Sequence, residues 1–140
     1  MNKFLVGKTG MFEAAVRLSR MGEVVTIHGG GCAFDLSDSD GSRYEVKTAT
    51  ASMKRDKSHS PYRGWVFCSG RNNKNIAKFE YTVYVLLNEK HEVERMLLIP
   101  HEEDGFRNGR SAIMKDTKWQ LKNSPRKDYV TKKWYDEYEI

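Results

Sequence analysis

The chain has 140 residues, 24 Lys and Arg against 19 Asp and Glu, a formal net charge of +5 and 39 % hydrophobic residues. That length supports one modest core, so a single domain over residues 1–140 is expected, and no run of about 18 apolar residues exists to cross a membrane. The start of the chain lacks the long apolar stretch of a secretory leader, which leads us to expect an intracellular, cytoplasmic protein, and the widely separated Cys32 and Cys68 exclude a disulfide scaffold and argue against a cysteine zinc site.

The spacing of Phe12, Ala15, Val16 and Ser19 predicts a helix over Thr9–Met21, with Thr9 as N-cap and Gly22 as terminator. Glu23–His28 is β-branched and reads as a strand, ended by three glycines. Cys32–Ser37 and Arg43–Thr48 flank an Asp-Gly turn at Asp40-Gly41 and predict a hairpin. Ala51–Pro61 is polar and basic and reads as a loop. Gly64–Cys68 is strand-like, and Ser69–Asn75 is a polar connection. Tyr81–Leu87 and Val93–Ile99 predict a second hairpin across Asn88–His91. Ser111–Met114 fits a short strand, and Asp128–Tyr138 a helix presenting Val130, Trp134 and Tyr138. A helix, five or six strands and a closing helix imply an α/β or α+β domain with a mixed sheet.

The positive charge is concentrated. Lys47 to Lys78 holds eight basic residues and one acid, a local charge of +7, which leaves −2 for the rest. Such a segment is either a solvated loop or the footprint of a polyanion site.

The informative stretch runs from Phe34-Asp35-Leu36 to Tyr44-Glu45-Val46-Lys47. Strand side chains alternate, so Glu45 and Lys47 share one face while Tyr44 and Val46 share the other. A hairpin centred near Asp40 sets Asp35 beside Glu45. Two neighbouring carboxylates repel unless a cation or proton lies between them, and hard oxygen ligands suit Mg²⁺ or Mn²⁺. Lys47 beside such a metal would act on the attacking water or offset charge on a phosphate. The competing reading is an ordinary cross-strand charge pair worth less than about 1 kcal/mol. Gly7-Lys8-Thr9 lacks the earlier glycine of a P-loop, and His28, His59, His91 and His101 form no ligand spacing. Trp65, Phe67, Tyr81, Val83 and Val85 read as core, while Tyr62 and Arg63 read as contacts to nucleic acid from the basic loop.

The ordered set of helix acid Glu13, Phe34-Asp35, Glu45-Val46-Lys47 and the Trp65-Val66-Phe67 and Tyr81–Leu86 strands resembles the PD-(D/E)XK nuclease superfamily over roughly residues 7–99. The resemblance implies a restriction-endonuclease-like mixed central sheet flanked by helices. It implies Asp35 and Glu45 as metal ligands with the Val46 carbonyl as a third, Lys47 on the nucleophilic water, and Glu13 as an additional acid near metal-bound water or a second ion. Phe34 stands where the motif's name has Pro. The nearest groups are the group I intron homing endonucleases, which often carry Gln at the position of Glu45, and the archaeal Holliday-junction resolvases. The implied activity is Mg²⁺-dependent DNA cleavage, with Mn²⁺ as a substitute, by a homodimer or higher homo-oligomer. Lys54, Arg55, Lys57, Arg63, Arg71 and Lys74 would hold the DNA. A junction resolvase and a non-catalytic nucleic-acid-binding module of the same fold are the alternatives.

Overall fold

The computed structural model describes residues 1–29, 34–55, 61–68, 79–106, 111–123 and 133–140. Helix α1 spans Lys3–Arg20. Its N-cap is Asn2, whose side-chain oxygen accepts the Leu5 N–H at 2.9 Å. The expected cap Thr9 lies inside the helix and donates its hydroxyl to the Leu5 carbonyl. Gly7 obscured the first two turns in the sequence, since glycine disfavours a helix interior by only about 1 kcal/mol and is tolerated here. The buried stripe is also shifted from the expected one. Gly10, Met11, Ala14, Ala15 and Leu18 face the core, whereas Phe12 and Val16 are 53 % and 45 % exposed.

Strands β1 (Val25–Ile27), β2 (Leu36–Asp38), β3 (Arg43–Thr50), β6 (Tyr81–Leu87) and β7 (Val93–Pro100) form a sheet in the order β1-β2-β3-β6-β7. Within it β3 and β6 are parallel and the other pairs antiparallel, so the sheet is mixed. A parallel pair needs a long crossover, and the described part of this one consists of β4 (Ser52–Arg55) and β5 (Pro61–Cys68). These pair with β8 (Ser111–Lys115) in a second, antiparallel sheet of order β4-β5-β8. The chain therefore changes sheet at Ala51, between β3 and β4. The stretch expected as a loop is a strand there because β4 is an exposed edge strand, paired through its backbone and lacking a hydrophobic alternation.

The first sheet has two covered faces. Tyr44, Val83, Val85 and Met96 pack under α1 with Leu36 and Leu18. Ala49, Tyr84, Leu86, Leu97 and Ile99 pack against Trp65, Phe67, Ala112 and Met114 of the second sheet. The central mixed sheet matches the expected fold class, with a helix on one face and a second sheet on the other. The short helix α2 (Thr117–Asn123) buries no residue and so left no periodic trace in the sequence. Near the C-terminus a 3-10 turn, Trp134–Tyr138, replaces the expected longer helix, and it buries Tyr135 rather than Trp134; Val130 lies outside the described residues.

Gly10 sets the distance between α1 and β3. A Cβ there would overlap the side chain of Thr48, which is β-branched and stiff. Ordinarily Gly→Ala inside a helix stabilises; here overpacking reverses the sign. Gly10→Ala should lower stability by about 1–3 kcal/mol, read as a shift in the urea midpoint. The added Thr48→Ala change should restore it, because it opens the space and removes a buried hydroxyl that has no hydrogen-bond partner.

Candidate active site

The hairpin register places Leu36 opposite Tyr44 and Ser37 opposite Arg43, so the β2–β3 pair is centred on Asp40. This puts the chain preceding β2 alongside Glu45. β2 leaves β3 at that point, and from Val46 onward no strand among the described residues lies beside that edge of β3. Asp35 sits at the departure. Its N–H donates to the Tyr44 carbonyl at 2.9 Å, and its Oδ2 accepts the Val46 N–H at 2.8 Å. The N–H and C=O of one strand residue point to the same side, so the Val46 carbonyl faces the opening that holds the Asp35 carboxylate.

Glu45 and Lys47 lie on the face away from α1, as the alternation with Tyr44 and Val46 requires. The Lys47 Nζ is 4.0 Å from Glu45 Oε1, and the two side chains are only 21 % and 28 % exposed. The Glu45 carboxyl is held above the ordinary carboxylate range. Burial is the largest cause and the negative charge of Asp35 the second, with Lys47 pulling the other way. Beneath the group, Tyr84 stands opposite Lys47 in the register and donates its hydroxyl to Asp104 at 2.6 Å. Burial, then Asp104, pushes this phenol well above its usual range.

This arrangement brings Asp35, Glu45, the Val46 carbonyl and Lys47 to one strand edge. Glu13 is not joined to them. It is exposed on α1, on the other face of the sheet, and among the described residues no hydrogen bond connects it to Asp35 or Glu45. Nor does it pair with Arg17, whose guanidinium donates to the Ile140 carbonyl. Lys54 and Arg55 are exposed on β4. Lys57, Arg71 and Lys74 lie outside the described residues.

Arg63 departs most from the sequence reading. It is 9 % exposed, and its guanidinium is shared among Glu89 at 2.6 Å, Glu94 at 2.9 Å and Asp116 at 2.5 Å. Those carboxylates already use the donors a phosphate would need. Tyr62 is likewise buried, beneath the Lys115 ammonium.

His28 is a residue the sequence reading set aside. Its N–H donates to the Asp35 carbonyl at 2.9 Å, and its Nε2 meets the Ser37 hydroxyl at 2.7 Å. Its place at the end of a predicted strand was the available signal. A second acidic group, Glu23, Asp38 and Asp40, has oxygens within 4.8 Å of one another. There the Asp38 carboxylate accepts the N–H groups of Asp40 and Ser42 and the Tyr44 hydroxyl, so it holds the turn of the hairpin.

A mixed sheet with α1 on one face and a carboxylate–lysine group at an open strand edge gives this chain a homing-endonuclease-like α/β fold. Among solved structures it is similar to a bacterial homing endonuclease, with a TM-score of 0.63 and 20 % identity over 99 % of this chain and 86 % of that one. No protein-family model matches the sequence, and no curated protein matches it. Among the described residues no helix is long and apolar enough to cross a membrane.

Glu45 offers a test of the site that needs no activity. A raised carboxyl pKa means that ionisation is disfavoured in the folded state. Stability is then fullest below the unfolded pKa and is lost as pH rises through the folded one. Glu45→Gln should therefore raise the thermal midpoint of the metal-free protein at pH 7. It should also shrink the further rise on adding Mg²⁺, since a ligand stabilises only through its affinity for the folded state. An unchanged response to Mg²⁺ in the variant would count against Glu45 as a ligand.

Proposed function

We propose that this protein is a divalent-metal-dependent DNA endonuclease of the PD-(D/E)XK type that hydrolyses phosphodiester bonds. The observation that carries the reading is the meeting of Asp35, Glu45 and Lys47 at one strand edge. Its position on a fold similar to that of a homing endonuclease supports it.

The donor set suits Mg²⁺, with Mn²⁺ as a substitute. Two carboxylates and a backbone carbonyl are hard oxygen ligands, and the Glu45 carboxyl, raised first by burial and then by the charge of Asp35, is a group whose ionised form a nearby cation would favour. Asp35, Glu45 and the Val46 carbonyl would hold the ion. When bound, it supplies Lewis acidity toward a phosphate oxygen and lowers the pKa of water. Asp35 is oriented by the Val46 N–H and so keeps one carboxylate oxygen fixed. Lys47 acts on the attacking water, and its ammonium offsets negative charge that develops on the phosphate. The water oxygen bonds to phosphorus and gives up a proton to solvent, the P–O bond to the leaving oxygen breaks, and that oxygen takes up a proton from solvent. Glu13 is assigned no step.

Lys54 and Arg55, exposed on β4, together with Lys57, Arg71 and Lys74, are proposed to hold the DNA backbone; Arg63 is not among them. One such site cuts one strand, so paired cuts imply a homodimer or higher homo-oligomer. The test is incubation of duplex, four-way-junction and single-stranded DNA with Mg²⁺, Mn²⁺ or Ca²⁺. Cutting in Mg²⁺ or Mn²⁺ is the expected result. Cutting confined to junctions would place the protein with the resolvases. Salt-sensitive binding without cutting of any substrate would replace the enzyme with a non-catalytic binding module.

A further inference from the structure

A cleft of about 650 Å³ opens beyond Lys47 along the edge of β3 from Val46 onward, between the start of α1 and the β4–β5 pair. Lys47 borders both this cleft and the carboxylate group, so the two are continuous. Among the described residues three lysines line it, Lys3 from α1, Lys47 from β3 and Lys54 from β4, and no carboxylate does. Thr50 and Ser52 follow along its wall; Thr48 also borders it, with its hydroxyl buried against α1. A second cleft of about 430 Å³ has the opposite character: Glu80, Glu102 and Glu103 line it, and the Arg43 guanidinium there is bonded to Glu80 at 2.8 Å. The protein thus presents an anion-seeking cleft beside the proposed site and an acidic one elsewhere.

The far end of the first cleft is formed by His91, in the β6–β7 turn. Among the described residues His91 is the only non-glycine with a positive φ, 65°. Histidine adopts that conformation more readily than most non-glycine residues, and here it closes the turn, the His91 N–H donating to the Asn88 carbonyl at 2.9 Å. Its Nδ1 lies 3.3 Å from the Thr50 hydroxyl, which fixes the ring at the cleft wall.

We infer that this cleft holds the phosphodiester backbone of the substrate strand next to the bond being cut, with Lys3 and His91 as phosphate contacts. The inference rests on the endonuclease reading and extends it to residues outside the basic segment of the sequence. Lys3 lies more than 40 residues before Lys47 in the chain, and His91 more than 40 after it; the fold brings all three to one cleft. Phosphate contacts of this kind position a strand without reading its bases.

The test uses a labelled duplex that the wild type cuts in Mg²⁺, with Ca²⁺ in place of Mg²⁺ to measure binding alone. Lys3→Ala and His91→Gly should each weaken binding several-fold, and the double variant tenfold or more. Lys3→Ala should make the plot of log affinity against log salt shallower by about 0.9. His91→Gly should melt no lower than the wild type, because glycine accepts the positive φ. Lys122→Ala, exposed on α2, should leave affinity and slope unchanged. If the wild type cuts DNA and the double variant binds it with unchanged affinity and slope, the cleft assignment falls while the endonuclease reading stands. A wild type that neither binds nor cuts any DNA overturns both.

Discussion

Lys47→Ala should reduce single-turnover cleavage by about 10³-fold while changing DNA affinity less than tenfold. A positioned group that handles a proton or offsets developing charge contributes roughly 10²–10⁴-fold. Loss of one cation among several phosphate contacts removes only a small share of binding. The two effects would separate because the Lys47 ammonium lies 4.0 Å from Glu45, a side chain 28 % exposed, where its charge would act on a reacting phosphate with little screening. Lys47→Arg is the informative companion. It keeps the charge but replaces a compact ammonium with a planar fork, so binding should be retained and cleavage should stay low. The measurements are cleavage rate in Mg²⁺ and equilibrium binding in Ca²⁺ on one duplex. Wild-type cleavage by Lys47→Ala would remove Lys47 from the mechanism.

The second large effect concerns stability. Arg63→Ala should destabilise the protein by about 2–4 kcal/mol, since removing one partner of a buried ion pair leaves uncompensated charge behind. The upper end of that range is moderated by exposure of the partners, Glu89 at 59 % and Glu94 at 38 %. Asp116 is 14 % exposed, and it also accepts the Trp119 N–H at the start of α2. The loss is therefore felt across three places, the β6–β7 turn, β7 and the start of α2. Hydrogen bonding to Arg63 lowers the Glu89 carboxyl to about 2. A depressed carboxyl contributes stability above its unfolded pKa and loses it as pH falls through the folded one. The wild type should therefore lose part of its stability between about pH 4.5 and pH 2, and Arg63→Met should flatten that part of the curve. Chemical denaturation across this range measures both effects. If Arg63 were instead a phosphate contact, its loss would weaken DNA binding and leave the unfolding midpoint in place.

Arg63 also shows where sequence reasoning stops. Lys54, Arg55 and Arg63 look alike as letters in a basic stretch. Two of them stand exposed on β4, while the third lies in β5 among Glu89, Glu94 and Asp116, which are 26, 31 and 53 residues away. Nothing local records that those carboxylates converge. The missed strand β4 and the shifted stripe of α1 have a related cause. β4 is exposed and α1 carries apolar residues on both faces, so neither pattern names the buried side.

What the sequence determined by itself is local. The Asp40-Gly41 turn and the two-residue period of strands placed Asp35 beside Glu45 and put Glu45 and Lys47 on one face, because hairpin register is set by the turn and by alternation. The β6–β7 hairpin was legible for the same reason. Only the tertiary structure decided the rest: the parallel pairing of β3 with β6, the change of sheet at Ala51, the bond from Val46 to Asp35, and the cleft that joins Lys3, Lys47 and His91. Those features depend on contacts between distant segments, whose free energy comes from burial and from charges meeting across the fold rather than from any residue's neighbours in the chain.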